Sequence, residues 1–288
     1  MLSVILDFDG TVTEKDTLGV LAHYFIDLNP EKRVHWDQAV ERYVRDLQAF
    51  NDAYQPAEPD RVGSQAELDY SRAQRKVEHA SIERVQQSGL FDRAELNLTL
   101  QNHQSAMYLL GQRAVQDGVV KIRPGFREFL STMLTAGSKV GVLSLNWSTD
   151  FVKGVLSTVD ERAPHELRYC TNNIGHRNGN ICGPTLVQEA MLTGEDKMAR
   201  WREICPTMPM ASAVFIGDGA MDLQCMLAAK KAVVIARDPD ASYPYRALCR
   251  IGHEAPPPAA VGSRWRFCCT KDFGDLARLL RGDPITGT

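Results

Sequence analysis

Ser3-Val4-Ile5-Leu6-Asp7-Phe8-Asp9-Gly10-Thr11 decides the reading of this chain. Four small or apolar residues run directly into two carboxylates separated by one apolar residue, and a glycine comes next. A short apolar run that stops at turn residues marks a buried strand. Alternation beyond its end sends Asp7 and Asp9 to one side and Phe8 to the other, while Gly10 permits the sharp turn that presents both acids at the strand's carboxyl end. A bare Asp-x-Asp is ordinarily a turn in which the second acid caps the next segment. The remainder of the chain decides against that simpler role.

Similar apolar runs recur at 139–143, 213–216 and 232–235, with helical periodicity at 126–136, 197–204 and 221–229. This βαβ rhythm predicts an α/β fold, a doubly wound, Rossmann-like parallel sheet whose ligands bind at the carboxyl ends of the strands. Residues 17–118 break the rhythm. They are charged and helix-like, interrupted at 54–63 by Pro56 and Pro59. The expected organisation is a catalytic core of 1–16 and 119–288, with 17–118 an inserted helical cap domain over the site. A second interruption, 167–185, carries Asn178-Gly179 and predicts a type I′ hairpin. Pro256-Pro257-Pro258 predicts an extended surface loop before a last strand near 265–268 and a closing helix at 273–280.

At 288 residues and 44% hydrophobic content the chain has ample material for a buried core. Its 33 basic and 36 acidic side chains give a formal charge of -3, so nothing draws it to a nucleic acid polymer or a membrane surface. Any anion must be bound locally. The apolar start, 1–6, is too short to span a bilayer and has neither basic leader nor cleavage site. Seven cysteines without CxxC spacing fit a reducing, cytoplasmic setting better than a zinc site.

Three further groups carry chemistry. Ser144 ends the run 139–143 and is followed by Asn146 and Trp147, so a hydroxyl and free backbone N–H groups are available to a phosphate, or Ser144 simply caps the next helix. Lys197, in Gly194-Glu195-Asp196-Lys197, would alone be read as a solvated charge. Gly217-Asp218-Gly219-Ala220-Met221-Asp222 comes after the run 213–216, and its glycines allow a tight turn with two carboxylates four apart across a helix entry. A carboxylate pair there suits Mg2+, a hard ion that takes one or two protein carboxylates together with phosphate oxygens.

The order Asp7/Asp9, Ser144, Lys197, Asp218/Asp222 resembles the four motifs of the haloacid-dehalogenase (HAD) superfamily, over 1–16 and from 119 to about 280. Asp9-Gly10-Thr11-Val12-Thr13 and the segment Asn178-Gly179-Asn180-Ile181-Cys182-Gly183 are most similar to its phosphoserine-phosphatase-like branch. The resemblance implies a phosphoric monoester hydrolase in which Asp7 forms an aspartyl-phosphate and Asp9 serves as general acid, then base. It implies that Ser144, Asn146 and Lys197, with Gly10 and Thr11, hold the phosphoryl group. It implies Mg2+ on Asp218, the Asp7 carboxylate and the Asp9 carbonyl, with Asp222 supporting Lys197 or a water on the metal. The bulky Ser144-Leu145-Asn146-Trp147 replaces the Ser-Gly-Gly of that branch, and Asp16 stands where it carries a glutamate, which points away from phosphoserine. The expected substrate is a small phosphorylated metabolite, whether an amino-alcohol, vitamin, nucleotide, sugar or prenyl phosphate, contacted by Asp16, Tyr24 and Trp147. The competing expectations are a phosphomutase of the same superfamily and a non-catalytic binding protein on the same fold. A two-component receiver domain is much shorter and has no counterpart of Gly217-Asp218.

Overall fold

A computed structural model of the chain describes residues 2–92, 105–175, 179–184, 189–204, 207–262 and 264–283. Its centre is β1 (Ser3–Leu6), flanked by β2 (Lys139–Leu143) and β3 (Arg168–Cys170) on one side and by β6 (Ala213–Gly217), β7 (Lys231–Ile235) and β8 (Phe267–Thr270) on the other. All five pairings are parallel. The chain builds outward from β1 through β2 to β3, then crosses to β6 on the opposite side. The carboxyl ends around β1 therefore form the crevice at a topological switch point, where such sheets bind ligands.

Strand alternation explains why both faces are covered. Val4, Leu6, Val140, Val142, Val214, Ile216, Val233 and Ile235 belong to one buried cluster. Ile5, Leu143, Phe215, Ala232 and Val234 belong to the other. Helices α5 (Phe126–Thr135), α6 (Thr149–Ser157) and α7 (Ala163–Glu166), then α8 (Gly194–Ile204), α9 (Leu223–Ala228), α10 (Tyr243–Arg250) and α11 (Leu276–Arg281), complete the core. In α5 the buried residues are Phe126, Phe129, Leu130, Met133 and Leu134, the spacing of a single apolar helix face. Ser148 caps α6 by accepting the Phe151 N–H.

Between β1 and α5 the described residues contain helices α1 (Leu18–Leu28), α2 (Arg33–Ala53), α3 (Ser64–Gln87) and α4 (Ala106–Gln116) and no strand. The predicted break at 54–63 is the connection from α2 to α3. Helix α4 lies directly on α6: a Cβ on Gly111 would overlap the Phe151 carbonyl, and one on Gly154 that of Tyr108. Helix α3 reaches the core through charge. Arg61 and Glu67 pack with Tyr243 and Arg250 of α10, Arg250 donating to Glu67 at 2.6 Å, and Arg75 bonds Asp196 at 2.8 Å. Removing one partner from the buried Arg250–Glu67 pair leaves an uncompensated charge and costs about 3–5 kcal/mol, so this edge of the helical segment is tied down.

Three expectations shift in detail. Arg168–Cys170, read within a hairpin, is a strand of the main sheet, because its three residues are too few to show a period. A hairpin does form between β4 (Asn173–Ile174) and β5 (Ile181–Cys182); Asn178 of the predicted Asn-Gly pair lies outside the described residues. The last strand begins at Phe267 rather than Trp265, since pairing with β7 sets its limits, and the closing helix starts at Leu276. No helix among the described residues is long and apolar enough to cross a membrane.

Candidate active site

The register of the sheet assembles the site. Leu6 pairs with Val142 on one side and Ile216 on the other, so the residues after them, Asp7, then Leu143-Ser144 and Gly217-Asp218, emerge at one level. Phe8 is fully buried, which leaves Asp7 and Asp9 on the opposite side of the backbone. Gly10 has φ +75°, and a Cβ there would overlap the Asp218 carboxylate. Only glycine fits this turn.

Lys197 is 2% exposed, and its ammonium donates to Asp7 Oδ1 at 2.7 Å and to Asp222 Oδ1 at 2.7 Å. Asp222 Oδ2 accepts the backbone N–H groups of Asp218 and Gly219 at 3.1 and 3.0 Å. Both Asp222 oxygens are therefore engaged, one holding the lysine and one the Gly217-Asp218-Gly219 turn. Lys197 is aimed by the start of α8, where Thr193 and Asp196 cap reciprocally: Asp196 Oδ2 accepts the Thr193 N–H at 3.0 Å, and Thr193 Oγ1 accepts the Asp196 N–H at 3.3 Å.

Asp9 sits apart from this lysine. Its Oδ1 accepts the Thr17 N–H at 2.8 Å and the Thr17 hydroxyl at 2.6 Å, and its Oδ2 accepts the Asn146 amide at 3.0 Å. Ser144 is buried beside them and accepts the Asn146 N–H at 3.2 Å. Thr11 donates to Asp218 Oδ1 at 2.7 Å.

The electrostatics arise from crowding. Burial, then the neighbouring Asp222 and Asp218, hold the Asp7 carboxyl well above the usual carboxylate range against the pull of Lys197. Burial and Asp222 raise Asp218 to about 7. Burial, with Asp16 second, raises Asp9 to about 6 although three donors oppose it. Burial alone would lower the Lys197 ammonium, but Asp222 and Asp7 reverse the sign and keep it charged. Oxygens of Asp7, Asp218 and Asp222 lie within 4.8 Å of one another, so one cation faces three acids. An all-carboxylate donor set with surplus negative charge fits a hard divalent ion such as Mg2+. With Asp222 committed to Lys197 and the turn, Asp7 and Asp218 are the side chains left to hold it.

This arrangement has a stability signature. Asp9 and Asp218, whose ordinary value is 3.8, retain protons in the folded chain that the unfolded chain releases. Their contribution is therefore most favourable below the unfolded value and is lost as pH rises through about 6 to 7. In chelator, the thermal midpoint is expected to fall between about pH 5 and about pH 7.5, and Mg2+ should restore it most at the upper end. A midpoint that rises over that interval in chelator, or ignores Mg2+, would contradict this charge balance.

The structure brings together Asp7, Asp9, Gly10, Thr11, Ser144, Asn146, Lys197, Asp218 and Asp222. Asp16 and Trp147 line an adjoining cavity, whereas Tyr24 lines neither this cavity nor the site and packs edge-to-face on Phe25. Two contributors were not anticipated. Thr17 fixes the Asp9 carboxylate. Arg123, 6% exposed, donates to the carbonyls of Gly10, Thr11 and Thr13 and so pins the turn after Asp9. No local pattern marks an arginine bonded to a turn 113 positions earlier.

No protein-family model matches the chain. It is similar to the CTO1 family protein C17G9.12c of Schizosaccharomyces pombe, 24% identical over 237 residues, covering 77% of each chain. It is also similar to Cold tolerance protein 1 of Saccharomyces cerevisiae, 25% identical over 255 residues, covering 78% of this chain and 75% of that one. Among solved structures, a phosphoserine phosphohydrolase-like protein from Francisella tularensis superposes with a TM-score of 0.48 at 13% identity, covering 97% of this chain and 100% of that one. The strand order around β1 brings all four motif groups together at its carboxyl end, on a doubly wound parallel α/β core.

Proposed function

We propose that the chain is a magnesium-dependent phosphatase that hydrolyses a small phosphate monoester through an aspartyl-phosphate on Asp7. The observation that carries this reading is the buried Lys197 ammonium, 2.7 Å from both Asp7 and Asp222, at the switch point of the sheet. A lysine so placed orients the Asp7 carboxylate and offers positive charge to phosphoryl oxygens beside it. The Ser144 hydroxyl and the backbone N–H groups after Asp7 complete the phosphate cradle.

An Asp7 carboxylate oxygen forms the bond to phosphorus as the ester P–O bond breaks, and the leaving alkoxide takes its proton from Asp9. The Asp9 carboxylate then removes a proton from water, whose oxygen attacks phosphorus, and the Asp7–phosphorus bond breaks to release phosphate. A carboxyl near 6 is suited to both directions at neutral pH. Thr17 and Asn146 hold it in place for each. A magnesium ion, held by Asp7 and Asp218, would neutralise charge on the phosphoryl group.

The test is hydrolysis of para-nitrophenyl phosphate by the full chain across a magnesium titration. Turnover should require the ion, and Asp218→Ala should raise the concentration needed for half-maximal rate by roughly tenfold or more. Because Mg2+ should also raise the thermal midpoint of the wild type and much less that of Asp218→Ala, binding is read separately from chemistry. An unchanged titration in the variant would place the metal elsewhere. The thiols of Cys182, Cys225, Cys249 and Cys268 support a reducing, cytosolic setting.

A further inference from the structure

Next to the phosphate end lies a second cavity of about 380 Å³, within the range of roughly 300–1,000 Å³ typical of ligand pockets. Leu18, Tyr43 and Leu145 are among the residues that line both it and the phosphate compartment, so the two spaces are continuous. Beyond that junction the walls come from both parts of the chain, with Trp36, Val40, Ile82 and Val85 of the insertion facing Trp147 and Leu192 of the core. Apart from Ser81, every residue that lines this cavity alone is apolar, aromatic or glycine. Trp36 and Trp147 meet edge to face, their ring centroids 6.3 Å apart.

Gly19 lines the cavity, and a Cβ there would meet nothing within 4 Å beyond its own helix, so α1 leaves room that a side chain could occupy. Leu145 and Trp147, which stand where the phosphoserine-phosphatase-like branch has glycines, both form its wall. The bulk by which this chain departs from that branch therefore lines the space next to the phosphate. No Lys, Arg or His lines the cavity, and Lys197 belongs to the phosphate compartment, where it is bonded to Asp7 and Asp222. The charged residues that do line it, Asp16 and Glu78, sit at the junction, so the walls beyond carry no charge. A second phosphate or a carboxylate would find no cation there, and hydroxyls would lose water without gaining partners. Apolar surface is what these walls accept.

We propose that the substrate is the phosphate monoester of an alcohol with a large, uncharged apolar body, alkyl, isoprenoid or ring-bearing, whose phosphate lies at Asp7 and whose body fills the Trp36/Trp147 cavity. This rests on the phosphatase reading above and concerns the leaving alcohol. Val40 lines the cavity and is 42% exposed, so the space reaches the surface at α2, where the end of a longer chain can emerge. Phosphoserine would leave the cavity unfilled. Nucleotides and sugar phosphates would place hydroxyls against an apolar wall.

The experiment compares kcat/KM of the full chain with Mg2+ for two pairs of esters: octyl against ethyl phosphate, and cyclohexylmethyl phosphate against glucose 6-phosphate, whose ring is of similar size but carries hydroxyls. Octyl phosphate should exceed ethyl phosphate by roughly 10²-fold, since each buried methylene contributes up to about fourfold. Cyclohexylmethyl phosphate should exceed glucose 6-phosphate by roughly tenfold or more. Trp36→Ala, which removes a wall, and Gly19→Phe, which occupies the space, should each shrink the octyl-to-ethyl ratio by roughly fivefold or more. Such ratios are unaffected by the folded fraction of a preparation. Binding is read independently from tryptophan emission, since two of the four tryptophans line the cavity, by titrating octan-1-ol, an alcohol with no phosphate. An octyl-to-ethyl ratio below about threefold, or glucose 6-phosphate hydrolysed as well as cyclohexylmethyl phosphate, would overturn the proposal, while turnover of para-nitrophenyl phosphate would leave the phosphatase reading intact. Hydrolysis of no ester, para-nitrophenyl phosphate included, with octan-1-ol still bound, would overturn the phosphatase reading and leave the apolar compartment assigned. Loss of both would overturn the two together.

Discussion

Asp7→Asn is expected to lower turnover of para-nitrophenyl phosphate by roughly 10³-fold or more while the protein stays folded. The amide has nearly the shape of the carboxylate, and its oxygen can still accept from Lys197, which lies 2.7 Å from Asp7 Oδ1. Its nucleophilicity toward phosphorus is very low. The change also removes one acid from a cluster in which burial and two neighbouring carboxylates already raise Asp7. Stability in chelator should therefore hold or rise even as activity vanishes. That opposite movement separates loss of a nucleophile from loss of structure. Residual turnover within tenfold of wild type would sink the assignment, as would unfolding of the variant in parallel with the lost rate.

Lys197→Met should fail in both respects. The methionine matches the stem in volume but leaves Asp7 and Asp222 buried without their cation, at a cost of about 3–5 kcal/mol in chemical denaturation. The sign of its pH dependence is set by the same groups. With the ammonium gone, the Asp7 carboxyl rises further above its unfolded value, so the penalty is full at high pH and shrinks as the acid takes up a proton. The variant should be closest to wild type near about pH 5 and furthest from it near about pH 8. Turnover at its pH optimum should drop by roughly 10²–10³-fold, the scale of losing one preorganised charge at a developing phosphoryl centre. A stability loss below about 1 kcal/mol would mean that Lys197 is not the counter-ion of the cluster.

The buried strands and the identities of the acidic residues are local properties, and for that reason the linear sequence carried them. An apolar run of four or five residues ending in a turn reads as a strand wherever it lies, and the residue after such a run must emerge at the strand's end. Asp7, Ser144 and Asp218 could therefore be assigned to one edge of a parallel sheet before any pairing was known. The helical character of the insertion, and its break at Pro56 and Pro59, were legible for the same reason.

Pairing and packing are not local, and they decided the rest. The register that sets Leu6 against both Val142 and Ile216 is what brings Asp7, Ser144 and Asp218 to one level. The three residues of β3 became a strand because β2 offered an edge. Asp222 is committed by two backbone N–H groups and Lys197, a competition that spacing alone cannot resolve. Arg123 and Thr17 hold Asp9 and the turn after it through bonds that no sequence period announces. The rotation of each inserted helix about its axis is fixed by its contacts with the core. Trp36, unremarked in the sequence, therefore lines the adjoining cavity and Glu78 lines both that cavity and the site, while Tyr24, one helix away, lines neither.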